Sequence, residues 1–131
     1  MFDDPEGPVE HYSFGRFVVA GEEHASSPDG GTIGCGSDIR IAGGVVSPWR
    51  ERRGHLLEPG MLAGLDGPAP EALVIGLGAY GALQCPAGVV ERARAMGISR
   101  VEAANTPEAC RIYNSLCRGC VRAALQAHGP C

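Results

Sequence analysis

Lysine is absent from this 131-residue chain, and its eleven basic residues are all arginine, set against fifteen acidic ones for a formal net charge of -4. We read the missing lysine as coding bias, and the acidic balance excludes nucleic acid as a partner, because phosphate neutralisation needs a basic face. Long apolar runs are also missing. Nothing approaches the roughly 18 residues that would suggest a membrane span. The amino terminus, MFDDPEGP, lacks the positive charge of a secretory signal or transit peptide, so the chain is expected in the cytoplasm. Six cysteines could suggest disulfides, but a chain with 44% hydrophobic residues can build a core without them, and reduced thiols are expected.

What is present divides the chain in two. Its length fits one domain with one core, burying roughly two-thirds of the unfolded surface. Residues 1–8 read as a flexible acidic leader and 9–131 as a single domain. Tyr12 and Phe14 alternate on one face, and Phe17 and Val19 on one face after Gly15. That parity change at a glycine suggests a bulge or bend. Ser27-Pro28-Asp29-Gly30-Gly31 is a turn signal that should have strands on both sides. Gly43-Gly44 between Asp38–Ala42 and Val45–Ser47 predicts a tight hairpin.

The hairpin delivers Trp49-Arg50-Glu51-Arg52-Arg53-Gly54-His55, the basic cluster of an acidic chain. Arginine forks could grip a carboxylate or phosphate while the indole stacks on a guanidinium. The competing account is a solvated loop whose arginines pair with Glu51 and Glu58. Beyond it, Glu58-Pro59 marks a possible turn of helix within a connector rich in proline, glycine and small residues.

Ala72–Gly81, ALVIGLGAYG, reads as a buried central strand running into a glycine loop. Pro86 starts a helix that Gly97 and Ile98 close. Arg100–Ala104 is a second strand. Thr106 as N-cap with Pro107 behind it opens an amphipathic helix carrying Ala109, Ile112, Tyr113, Leu116 and Cys117, and Val121–Ala127 is a last strand. The fold class is therefore α/β, with two main helices in the carboxy-terminal half and β-hairpins in the amino-terminal half, whose strands extend the sheet or pack beside it.

Gly76-x-Gly78-x-x-Gly81, with Glu102 on the next strand, matches the dinucleotide fingerprint. That fingerprint requires the helix to begin inside the glycines, and Pro86 delays it. Close packing of a strand end accounts for the glycines instead. Cys117-x-x-Cys120 with His128-x-x-Cys131 resembles a zinc set, but an extended Val121–Ala127 would hold Cys120 and His128 about 26 Å apart at roughly 3.3 Å per residue. No metal is expected. The Cys117/Cys120 pair stands at a helix carboxyl end, where the dipole has the wrong sign to activate a thiol.

Seven pieces in fixed order carry a family resemblance: Tyr12-x-Phe14-Gly15, Trp49-Arg50 with Gly54-His55, Leu73-Val74-Ile75-Gly76-x-Gly78, Gly97-Ile98, Thr106-Pro107-Glu108-Ala109, Tyr113-Asn114-x-Leu116 and His128-x-x-Cys131. From about His11 onward the chain resembles the Mth-type domain of unknown function, a family that includes an adipogenesis-associated Mth-domain protein and a mitochondrial complex I assembly factor. The resemblance implies a compact three-layer α/β domain on a mixed sheet, without an established activity or cofactor. It departs from the family pattern at Leu77, where relatives often carry a polar residue, and at Cys120, where they commonly carry arginine.

These readings lead to a non-enzymatic, assembly-factor-like domain that binds a protein partner through the surface of Trp49, Arg50, Arg53 and His55. The alternative is a small-molecule or anion-binding enzyme using the same cluster beside Gly76 and Gly78, in a groove between the two segments. No convergent acid, base and nucleophile set is evident in the sequence, which ranks binding ahead of catalysis.

Overall fold

The computed structural model describes residues 2–13, 16–25, 38–49, 51, 54–62, 65 and 69–129. Among them, β1 (Phe2–Asp3), β2 (Val9–Ser13), β3 (Arg16–Val19) and β4 (Glu22–Ala25) make an antiparallel meander in that order. A second sheet is mixed. Its order is β6 (Val45–Pro48), β5 (Ile39–Ala42), β9 (Ala123–Ala127), β7 (Ala72–Gly76), β8 (Arg100–Ala104), with β7 parallel to both neighbours and β5 antiparallel to β9.

Every residue of β7 is buried. It lies between two strands and both of its faces are covered, which is why its sequence is apolar throughout. On one face, Ala72 and Val74 join Leu125, Ile39, Ile41, helix α2 (Thr106–Arg118) and the meander residues Val9, Tyr12 and Phe17 in one apolar cluster. On the other, Leu73 and Ile75 pack with Val89 and Ala93 of α1 (Ala87–Ala95) and with Trp49, Leu57 and Met61. The result is a three-layer α/β fold of the expected class.

Local signals account for the joints. Gly43 and Gly44 take φ of 58° and 77° between the paired Ala42 and Val45, a geometry that matches strand twist. Pro86 flanks the start of α1 with extended backbone. At the other end Gly97 adopts φ 95° and the Ile98 N–H donates to Ala93 O at 3.1 Å, closing a left-handed cap over buried Ile98. The turn expected at Glu58-Pro59 is a single 3-10 turn, Pro59–Met61.

Four expectations need correction. The leader is structured from Phe2: β1 pairs with β2, and the Asp4 carboxylate accepts hydrogen bonds from Arg118 and Asn114 of α2, which offset the entropy of ordering the segment. The parity change at Gly15 falls between antiparallel strands that pair Ser13 with Arg16, not within one strand; residues 14–15 themselves lie outside the described residues. Thr106 is the first residue of α2 and not its N-cap; Asn105 flanks the helix and makes no side-chain cap. The last strand begins at Ala123, two residues later than expected. The turn signal at Ser27–Gly31 lies outside the described residues.

Candidate functional site

One row of residues crosses the mixed sheet just beyond the carboxyl ends of its parallel strands. Ile39 pairs with Pro48 on one side and Ala127 on the other, so the next rung sets Asp38 between Trp49 and His128. The Trp49 N–H donates to Asp38 O at 3.0 Å and the His128 N–H to Gly76 O at 3.0 Å. Side chains alternate between faces along a strand. Because Ile39 belongs to the cluster with α2, Asp38 and His128 lie on the opposite face, together with Arg40 and Gln126, which pair one rung inward.

Asp38, Gln126 and His128 are all buried, with His128 2% exposed. His128 Nδ1 lies 2.8 Å from Asp38 Oδ1, and the Gly129 N–H donates to the same oxygen at 3.2 Å. Asp38 as a carboxylate can only accept, so beside it Nδ1 is the imidazole nitrogen that donates. Nε2 is buried and has no hydrogen-bond partner among the described residues. Such orphans are rare in native interiors and call for an explanation. Beside this pair, Arg40 donates to Glu51 Oε1 at 2.8 Å, with its own side chain 11% exposed.

The backbone of the carboxyl edge is held from several directions. Thr106 donates its hydroxyl proton to His128 O at 2.7 Å while its oxygen accepts from Gly78 N–H at 2.9 Å, and the Tyr12 hydroxyl donates to Gly129 O. His55 comes to the same place from the other half of the chain. The Gln84 N–H donates to His55 O at 2.7 Å and the Leu57 N–H to Gln84 O at 2.9 Å, pinning this segment behind the glycine loop. The exposed His55 ring then stands edge-on to buried His128, with centroids 6.2 Å apart and planes at 73°.

The residues singled out from sequence fare unevenly. Trp49 is 1% exposed, its indole N–H donating to Met61 O at 2.9 Å. It is a core anchor and is not available to stack at a surface, because the rung that positions Asp38 turns the indole inward. Arg50 and Arg53 lie outside the described residues. Glu51 pairs with Arg40. His55 and Gly76 are brought together through His128. Gly76 and Gly78 pack against their own chain: a Cβ on Gly76 would lie 2.8 Å from Thr106 Oγ1 and 3.0 Å from Ala127 Cβ, and Gly78 O accepts the Thr106 N–H at 2.8 Å. The glycines thus serve close packing against the start of α2. Asp38, Arg40, Gln126 and His128 were missed as a group. In an alternating strand, Arg40 between Ile39 and Ile41 reads as solvent-facing, and only the register across β5 and β9 reveals a shared buried face.

The opposite end of the sheet holds a cavity of about 680 Å³ bordered by the Gly43-Gly44 turn, Leu65, Tyr113, Cys117, Arg122 and Ala123. It lies at the other end of the strands from the polar row. Burial raises the Cys117 thiol above its ordinary pKa, and Cys110 is pushed up to about 12 for the same reason. Neither is an activated nucleophile. β9 is the extended strand that separates the Cys117/Cys120 end from His128.

The model of a family described as "Protein of unknown function (DUF498/DUF598)" matches residues 9–127. No curated protein matches. Among solved structures, a conserved hypothetical protein from Pyrococcus horikoshii OT3 is similar with a TM-score of 0.74 at 21% identity, covering 94% of this chain and 98% of that one. A protein from Bordetella parapertussis has a TM-score of 0.69 at 27% identity, covering 92% and 93%. A Bordetella pertussis protein described as a Mth938-like domain has a TM-score of 0.60 at 24% identity, covering 92% and 84%. At these identities the likenesses speak for the fold.

Proposed function

This chain belongs to that DUF498/DUF598 family of unknown function, and from there we propose that it binds a small molecule at the carboxyl edge of its parallel strands, between the His55 segment and the Asp38/His128 pair. The observation that carries this reading is the buried, unpartnered Nε2 of His128. Ligands of α/β sheets gather outside the carboxyl ends of the strands, and convergent polar groups beside an apolar core mark such sites. Losing Trp49 to the core removes the centre of the protein-docking surface that the sequence suggested. No helix among the described residues is long and apolar enough to cross a membrane.

The chain has four histidines, so histidine-selective labelling gives a spectrum simple enough to follow one by one. Titration with a library of small polar fragments is expected to shift His55 and His128 together and to leave His11 and His24 unmoved. A library that shifts neither His55 nor His128 overturns the reading.

A protein partner at the same edge is the second reading, favoured by Leu56 and Tyr80, 52% and 74% exposed on the two segments that border the row. Affinity purification with a Leu56→Ser, Tyr80→Ser double variant tests it: a stoichiometric partner lost in the variant supports docking, and equal recovery opposes it.

A further inference from the structure

Building on the small-molecule reading, we propose a ligand class for that site: an uncharged molecule that presents a hydroxyl donor to His128 Nε2, in place of the carboxylate or phosphate that an arginine-rich segment suggests. The argument starts from the proton on the other nitrogen. Asp38 Oδ1 accepts from Nδ1 at 2.8 Å and from Gly129 N–H at 3.2 Å, so the imidazole is anchored with its proton on the Asp38 side. In the neutral ring, Nε2 is then a lone pair that can only accept. It is buried and unpartnered among the described residues, and the ring cannot be reversed without turning Nδ1 and its proton away from Asp38.

Carboxylates and fully ionised phosphates offer only acceptors. They could meet Nε2 only after His128 had taken up a second proton. An alcohol or phenol meets it directly, its O–H donating into the lone pair with no change of charge in a buried place, where new charge is expensive. A site built to accept a hydrogen bond discriminates strongly against molecules that cannot donate one. The exposed His55 ring stands edge-on to His128, with centroids 6.2 Å apart. A hydroxyl group would enter past that ring.

Four probes sharing one aromatic ring separate the alternatives: phenol, benzyl alcohol, benzoate and phenyl phosphate, each titrated at pH 7 into full-length protein labelled with ¹⁵N-histidine. Long-range ¹H–¹⁵N spectra should first show His128 Nδ1 bearing hydrogen and Nε2 bare. Phenol and benzyl alcohol should then move the Nε2 resonance, with affinities at least tenfold tighter than those of the two anions. His55→Ala, a change at an exposed position, should keep that order of preference. A proton on Nε2 in the free protein, anions binding as tightly as the alcohols, or a preference that vanishes in His55→Ala each overturn the hydroxyl inference while leaving a small-molecule site standing. Failure of all four probes to move either His55 or His128 overturns the inference and counts against the small-molecule reading itself. An Nε2 held by an enclosed water that none of the probes displaces overturns it as well.

Discussion

Asp38 and His128, 90 positions apart in the chain, are neighbours one rung past the Ile39–Ala127 pair, with Oδ1 and Nδ1 2.8 Å apart and both side chains shut off from solvent. Neither residue is part of the regular ladder. Each is the first residue outside its strand, where the main chain still bonds to a neighbour, Trp49 N–H to Asp38 O and His128 N–H to Gly76 O, and a side-chain contact is added. This one contact joins the hairpin half of the chain to the carboxyl-terminal strand, and it leaves the far nitrogen of the imidazole open.

Asp38→Ala strands at least two buried donors, the Nδ1–H of His128 and the N–H of Gly129. At about 1–3 kcal/mol for each stranded group, the variant should lose about 3 kcal/mol of stability. Urea unfolding followed by circular dichroism measures it, and a loss under about 1 kcal/mol would mean that the pair contributes little.

Gly76→Ala should destabilise the fold by about 1–3 kcal/mol, the usual cost of forcing a methyl into a packed interior. Its Cβ would come within 3.2 Å of the Ala127 backbone as well as 2.8 Å of Thr106 Oγ1. Gly60→Ala, with open space around the added methyl, is the matched control and should unfold at nearly the wild-type midpoint. Equal behaviour of the two variants in a thermal melt would remove the close-packing account of the glycine loop.

Acid should weaken the attachment of the amino-terminal meander to α2. Hydrogen bonds from Arg118 and then Asn114 hold the Asp4 carboxyl below its ordinary value of 3.8. A carboxyl whose pKa is lowered by folding stabilises the protein fully above its unfolded pKa, and the contribution disappears as pH falls through the folded one. Wild type should therefore melt higher than Asp4→Asn at pH 6, and the two curves should converge as pH drops below about 4. Parallel curves down to pH 2 would show that Asp4 contributes nothing through its charge.

Much of the scaffold was legible because its signals are local. The Gly43-Gly44 turn, the Gly97-Ile98 cap, Pro86 before α1, the span of β8 and the buried run of β7 each depend on residues within a few positions of one another. Trp49 misled for a related reason. Trp49 next to arginines looks like a surface patch along the chain, yet it sits one rung beyond Pro48, and that rung points its indole into the core. The leader misled because its partners, Asn114 and Arg118, are more than 100 residues away.

The sequence by itself determined the element types from β2 onward, the α/β class and the need for glycine at the end of β7, since propensity, capping and alternation act over short stretches. Only the tertiary structure decided where the polar chemistry lies. Strand order β6-β5-β9-β7-β8 and its register set Asp38 beside His128 and Arg40 level with Gln126, and no local pattern encodes which strands will be neighbours. A residue's face follows from its own strand, but its partner follows from the whole sheet.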